Sequence, residues 1–143
     1  MKFLVINGPN LNLLGLRQPE IYGSADYSAL EQLVHDTCKE EGIDVTLFQS
    51  NHEGAIVDAI QAAHEVYDGI IINPAAYTHT SIAILDALTA VQIPAIEVHI
   101  SDIASREPFR QTSYTGLACI ETIAGQGIDG YRQAIIRLRE HLI

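Results

Sequence analysis

Lysine is scarce. Lys2 and Lys39 are the only two in 143 residues. Lys2 opens an apolar stretch, and Lys39 falls late in a helical segment. Chemistry that holds a carbonyl substrate as an imine needs a lysine in its pocket, and neither position offers one. Positive charge as a whole is thin: 8 basic residues stand against 18 acidic ones, for a net charge of −10. That balance argues against nucleic acid and anionic membranes as partners. No basic residue lies between positions 40 and 105, whereas Arg17, Arg106 and Arg110 sit in polar loops. An anionic ligand would meet those guanidiniums inside a repulsive overall field, which salt screens beyond roughly 8 Å. The cysteines, Cys38 and Cys119, form no CxxC pair. Cys38 falls on the apolar face of a helix, where a reduced, buried thiol is expected. No apolar run approaches the ~20 residues of a membrane span. Met1-Lys2 leads straight into a strand pattern, not a signal peptide. The expected location is the cytoplasm.

What the chain does have is enough apolar content, 48%, to build one proper core. Three short apolar runs each end in a polar cluster. Phe3–Ile6 runs into Asn7-Gly-Pro-Asn10, Ile70–Ile72 into Asn73-Pro-Ala-Ala-Tyr-Thr-His79-Thr-Ser81, and Ala95–Val98 into His99-Ile-Ser101. Such runs, alternating with helical segments, read as buried strands of a parallel sheet. The pattern predicts five βα units, with strands at about 2–7, 43–49, 69–73, 95–99 and 117–123. Helices are predicted at about 28–41, 54–66, from Thr80 or Ser81 to before Pro94, and at about 128–142. Ser28-x-x-Glu31 suggests a capping box for the first of these. The connection over 8–27 is far longer than the usual two to six residues, and 100–115 is a second long loop. In an open α/β sheet ligands bind beyond the strand C-termini, so the polar clusters should converge on one pocket of amides, hydroxyls, two imidazoles and a carboxylate.

Glu97 and His99 stand two apart in a predicted strand and share one face. A carboxylate beside a histidine fixes its tautomer and favours its protonated form, which makes a usable acid. His79 follows a strand exit among hydroxyls, where Thr80 or Ser81 can cap a helix and backbone N–H groups can meet an anion. His79, His99, Glu97 and Asp102 are ligand types for zinc, but no HxH or HExxH spacing occurs, and no metal is expected. His35, His64 and His141 read as solvated helix positions, and His52 stays open. The loop Arg17-Gln-Pro-Glu-Ile-Tyr22-Gly23 pairs a guanidinium with a phenol, which a nearby cation can turn into a base. On spacing alone a packed tyrosine is the favoured reading.

Taken together these stretches resemble the type II 3-dehydroquinate dehydratases, nearly end to end. The resemblance rests on Asn7-Gly-Pro-Asn-Leu-Asn-Leu-Leu-Gly, Arg17-x-Pro-x-x-Tyr22-Gly and Gln49-Ser-Asn-x-Glu-Gly54. It rests also on Asn73 through Asp86-Ala, on Ile96-Glu-Val-His-Ile-Ser101 and on Arg106-Glu-x-Phe-Arg110. It implies a single domain over 1–143, with a flavodoxin-like, doubly wound, three-layer α/β/α fold and a lid at about 16–24. The implied reaction is anti elimination of water from 3-dehydroquinate through an enolate, in the shikimate pathway or in quinate breakdown, with no cofactor. The implied base is Tyr22, with Arg17 lowering its pKa. Asn10 would hold a water near the enolate oxygen, and His99, oriented by Glu97, would protonate the departing hydroxyl. Asn73, His79, Ile100, Ser101 and Arg110 would contact substrate. Asp86 would reach a neighbouring subunit's pocket in a homododecamer, a tetramer of trimers.

The chain departs from that pattern at Asp102 and Ala104, where an inward carboxylate would oppose a substrate carboxylate, and at Glu121, where a small or apolar residue is expected. The alternative reading is a flavodoxin-like small-molecule binding module without catalysis. An FMN carrier lacks support, because Asn7-Gly-Pro-Asn-Leu-Asn is not a phosphate-cradling loop. A receiver-type signalling module needs an aspartate where Asn73 stands.

Overall fold

The computed structural model describes residues 1–16, 18–22 and 24–143, without the side chain of Tyr22. The strands are β1 (Lys2–Asn7), β2 (Asp44–Gln49), β3 (Gly69–Asn73), β4 (Ala95–His99) and β5 (Glu121–Ala124). They form one parallel sheet in the order β2-β1-β3-β4-β5. The helices are α1 (Pro19–Tyr22), a single turn, then α2 (Tyr27–Glu41), α3 (Glu53–Ala63), α4 (Ile82–Val91) and α5 (Asp129–Leu142).

The period-two alternation of the strands decides the layering. Phe3, Val5, Ile71, Ile96 and Val98 face α2 and α5, where Leu30, Val34, Tyr131, Ile135 and Leu138 cover them. Leu4, Ile6, Ile70, Ile72 and Ala95 face α3 and α4, meeting Ile56, Ile60, Ile84 and Leu88. Both faces of the sheet are therefore dry, and the fold is the three-layer, doubly wound, flavodoxin-like one expected. The connection leaving β1 runs to β2 on one side and the connection leaving β3 runs to β4 on the other, so the topological switch lies between β1 and β3. There Asn7 and Asn73 are register partners.

β1, β3 and β4 occupy the predicted spans. Three local expectations change. The cap of α2 is Asp26, whose Oδ1 accepts from Ala29 N–H at 2.8 Å, not Ser28. α3 stops at Ala63, three residues short of its predicted end, with His64 as its C-cap. β5 begins four residues later than predicted, because Thr115–Ala118 forms a 3₁₀ turn. Gly116 N–H donates to Ser113 Oγ at 2.9 Å and bends the chain away from the sheet, leaving Leu117 outside. The first bond into the sheet there is Ile120 N–H to Ala95 O at 2.9 Å.

Candidate active site

The exits of β1, β3 and β4 line one cleft of about 550 Å³, counted out to its open mouth. Of the site candidates named from the sequence, Asn10, Asn73, His79, His99, Ile100, Ser101 and Arg110 all border it. Pro9, Leu11, Ala75, Ala76, Ile103 and Arg106 border it too, and of these only Arg106 had a readable signal, as a basic residue just beyond the Ser101 cluster. Arg17 and the Tyr22 side chain lie outside the described residues. Two expected members stand apart. Glu97 is fully buried behind His99 and does not reach the cleft wall, which corrects the expectation of a carboxylate in the pocket. Asp86 is exposed on α4 and does not line its own chain's cleft.

Close approach makes the cleft floor possible. A Cβ on Gly8 would sit 2.5 Å from Pro74 O, so only glycine lets the exits of β1 and β3 touch. Gly8 N–H then donates to Asn73 O at 2.8 Å. Beside it, Tyr131 of α5 ties the switch point together. Its buried hydroxyl donates to Asn7 Oδ1 at 2.6 Å and accepts from Asn73 Nδ2 at 3.0 Å. Burial pushes that phenol strongly up, so it stays neutral and fixes the direction of both bonds. Asn73 Oδ1 in turn accepts from Ala75 N–H at 3.1 Å, which helps hold Ala75 at φ 52, a left-handed conformation unusual for alanine. Sequence reading missed Tyr131 and Asn7, although an asparagine ending an otherwise apolar strand, opposite another asparagine, was the available signal.

Glu97 is an acceptor surrounded by donors. Its Oε2 takes hydrogen bonds from Thr78 and, at 2.6 Å, from Ser113, and its Oε1 takes one from Thr122 at 2.9 Å. His99 Nε2 lies 3.2 Å from Oε2. That is charge-pair range, but the N–H is not aimed to form a regular hydrogen bond. Burial is the largest single influence on Glu97 and favours its neutral form. The contact and charge of His99, with the Ser113 and Thr78 hydroxyls, outweigh burial and hold the carboxyl down to about 2. Glu97 is thus an anion fixed in place behind an imidazole.

His79 has a different character. Its Nδ1 lies 2.8 Å from Thr112 O. A carbonyl oxygen only accepts, so Nδ1 carries the proton and Nε2 keeps a lone pair. Burial lowers its pKa against the opposing pull of that bond, and the neighbouring His99 and Arg110 add to the lowering. The two rings stack with centroids 6.4 Å apart. A neutral hydrogen-bond acceptor therefore stands beside a histidine backed by an anion.

Two guanidiniums complete the wall. Arg106 Nη1 donates to Ser101 Oγ at 3.4 Å, and its Nη2 lies 4.0 Å from Glu107 Oε1. Arg110 pairs with Glu107 through Nε and lies 5.1 Å over the Phe109 ring. Two of the chain's eight basic residues thus border this cleft, in a chain of net charge −10. Thiol chemistry is not available nearby, since burial pushes Cys119 up to about 12 and Cys38 up to about 11. Among the described residues no group of His, Cys, Asp and Glu side chains gathers as a metal site.

The class II dehydroquinase family model matches residues 1–139. The chain belongs to that family. A 3-dehydroquinate dehydratase of Clostridium perfringens (strain 13 / Type A) is 54% identical over 143 residues, 99% of this chain and 98% of that one. One from Carboxydothermus hydrogenoformans is 50% identical over 142 residues, 99% and 92% of the two chains. The crystal structure of the type II dehydroquinase from Butyrivibrio crossotus superposes with a TM-score of 0.95 at 53% identity, covering 97% of each chain. The type II dehydroquinase from Propionibacterium acnes gives 0.93 at 42% identity, covering 97% and 96%.

The residues that depart from the dehydroquinase pattern, Asp102, Ala104 and Glu121, lie outside the cleft lining. Asp102 is exposed, does not border the cleft, and uses Oδ1 to accept from Ala104 N–H at 3.2 Å, capping the 3₁₀ turn Ile103–Ser105. Its carboxylate therefore does not oppose a bound anion from inside. Glu121 begins the edge strand β5 and pairs with Arg137 of α5 through both carboxylate oxygens. On an exposed edge such a charge protects against strand pairing more than it stabilises. His35, His64 and His141 are exposed, as expected, and His52 takes the N-cap position of α3.

Proposed function

We propose that this dehydroquinase catalyses anti elimination of water from 3-dehydroquinate, giving 3-dehydroshikimate through an enolate. The observation that carries this reading is the anionic Glu97 behind His99, in a cleft walled by Arg106 and Arg110. Loss of hydroxide needs a proton donor, and an imidazole held 3.2 Å from a fixed anion is placed to be one. A carboxylate-bearing substrate needs cations in the cleft, and the arginines supply them. His79, neutral with Nε2 free to accept, suits a substrate hydroxyl.

In this reading Tyr22 removes the proton next to the ketone, and Arg17 favours its phenolate. Asn10 holds a water at the enolate oxygen. Asn73, Ile100, Ser101 and Arg110 bind the ring substituents. No metal or cofactor takes part, and an imine does not form: Lys2 lies at the start of β1, on the edge opposite the cleft, and Lys39 lies in the last turn of α2. Asp86 serves a neighbouring subunit in a homododecamer built as a tetramer of trimers; its exposure away from its own cleft supports that role. The enzyme works in the cytoplasm, in the shikimate pathway or in quinate breakdown. Among the described residues no helix is long and apolar enough to cross a membrane.

The test is direct. Purified protein given 3-dehydroquinate should develop the ultraviolet absorbance of a conjugated enone. Substrate left unchanged at micromolar enzyme would overturn the reading.

A further inference from the structure

The motif Gln49-Ser-Asn51 lies at the exit of β2, outside the cleft lining. Its side chains converge on the loop that carries Asn10. Asn10 stands at φ 70, in the left-handed region. Asparagine tolerates that region better than most residues, but the conformation persists only where neighbours fix it. Here Asn10 N–H donates to Asn51 Oδ1 at 3.0 Å. Gln49 Nε2 reaches the same Asn51 Oδ1 at 3.3 Å, Gly8 O at 3.1 Å and Asn12 Oδ1 at 3.3 Å. One amide nitrogen thus gathers an acceptor from before Asn10, one from after it, and the oxygen that holds Asn10 itself. Tyr77 OH donates to Asn51 O at 2.9 Å and anchors the assembly to the exit of β3. The Asn10 carboxamide, by contrast, borders the cleft and makes no hydrogen bond among the described residues.

We infer that Gln49 and Asn51 are positioning residues that hold Asn10 in its left-handed conformation, so that its free carboxamide faces the reacting atoms. The inference rests on the proposed role of Asn10 at the enolate. The Asn51 side chain acts through one acceptor oxygen only, so Asn51→Asp preserves both side-chain bonds and Asn51→Ala removes them. Gln49→Glu is nearly isosteric but sets a carboxylate against three oxygens, which repel it. Misplacing a catalytic group by about 1 Å costs up to ~10²-fold in rate.

The experiment compares Asn51→Ala, Asn51→Asp and Gln49→Glu in the assembled enzyme. For Asn51→Ala and Gln49→Glu, kcat should fall about tenfold to a hundredfold. KM should stay within about threefold, and exchange of the substrate's C2 hydrogen with solvent should fall in step with kcat. Asn51→Asp should stay within about threefold of wild type in kcat. Hydrogen exchange at the Asn10 amide reads the brace without any reaction: protected in wild type and Asn51→Asp, fast in Asn51→Ala. An Asn51→Ala enzyme with wild-type kcat, an Asn51→Asp enzyme as poor as Asn51→Ala, or an Asn10 amide equally protected in all three would overturn the inference. A wild-type protein inert towards 3-dehydroquinate would overturn the reaction reading instead, and the amide exchange would still decide the brace.

Discussion

Glu97 and His99 stand two positions apart on β4, with Oε2 and Nε2 3.2 Å apart and the carboxylate enclosed by the hydroxyls of Thr78, Ser113 and Thr122. The arrangement divides labour. Glu97 cannot touch substrate, being wholly buried, so it acts only on the imidazole. His99 borders the cleft, and in the proposed reaction it is the group that meets the departing hydroxyl.

That division predicts a split between the two halves of the reaction. In His99→Ala the proton next to the ketone should still be removed and returned, while hydroxide departs slowly. The variant should exchange the substrate's C2 hydrogen with solvent at a rate close to wild type, while enone formation falls by about 10²–10⁴. Equal losses in exchange and elimination would remove His99 from the role of dedicated acid.

Glu97 also makes a prediction about stability. Its folded pKa, about 2, lies below the ordinary 4.5. A depressed carboxylate contributes stability that is complete above the unfolded value and is lost as pH falls from about 4.5 towards 2. Glu97→Gln removes this contribution and turns an amide N–H₂ towards hydroxyl donors. It should be less stable than wild type at pH 6 by about 1–3 kcal/mol, with a gap that narrows between pH 4.5 and pH 2. Urea unfolding at fixed protein concentration, at several pH values in that window, measures the gap. Parallel curves for the two proteins would show that Glu97 does not ionise against the fold.

The sheet was legible because buried parallel strands are nearly continuous apolar runs, and β1, β3 and β4 are just that. β5 was not, because Gly116-Leu-Ala-Cys119 has the composition of a strand while Ser113 pulls Gly116 into a 3₁₀ turn. The cap of α2 went to Asp26 over Ser28 because both types cap equally well and only the chain's entry angle chooses. In the site, residues at strand exits were readable, since the fold sends every exit to one edge. The hydroxyls around Glu97 and the Asn7–Tyr131–Asn73 chain were not. Tyr131 meets Asn7 across 124 positions, and a pattern of local periods carries no record of such a contact.

Asp86 tests assembly. It is exposed on α4 and idle in its own cleft, so any catalytic role requires a second copy of the chain. Light scattering should give a mass near twelve times 15.6 kDa. Asp86→Ala should keep that mass, or lose it, together with a marked fall in kcat/KM. A fully active monomer would refute both the assembly and the shared site.

The base is the sharpest test. Within the described lining of the cleft there is no carboxylate and no phenol, and His79 is the described side chain placed to accept a proton. Its pKa is lowered from the usual 6.5 by burial, which makes it a weak base for a carbon acid. A phenol is a stronger base once ionised, but its unperturbed pKa is about 10, so it needs a cation beside it, and Arg17 is the cation close to Tyr22 in sequence. A positioned general base contributes about 10²–10⁴ in rate. Tyr22→Phe should therefore lower kcat by at least ~10²-fold while KM changes little. Arg17→Ala should also lower kcat strongly and should shift the ionisation of the base to higher pH, because the phenolate loses its stabilising charge. His79→Ala should act mainly on KM. If Tyr22→Phe retains more than about a tenth of wild-type kcat while His79→Ala abolishes C2 exchange, the base is His79, and the neutral imidazole held by Thr112 takes the role proposed for the phenol.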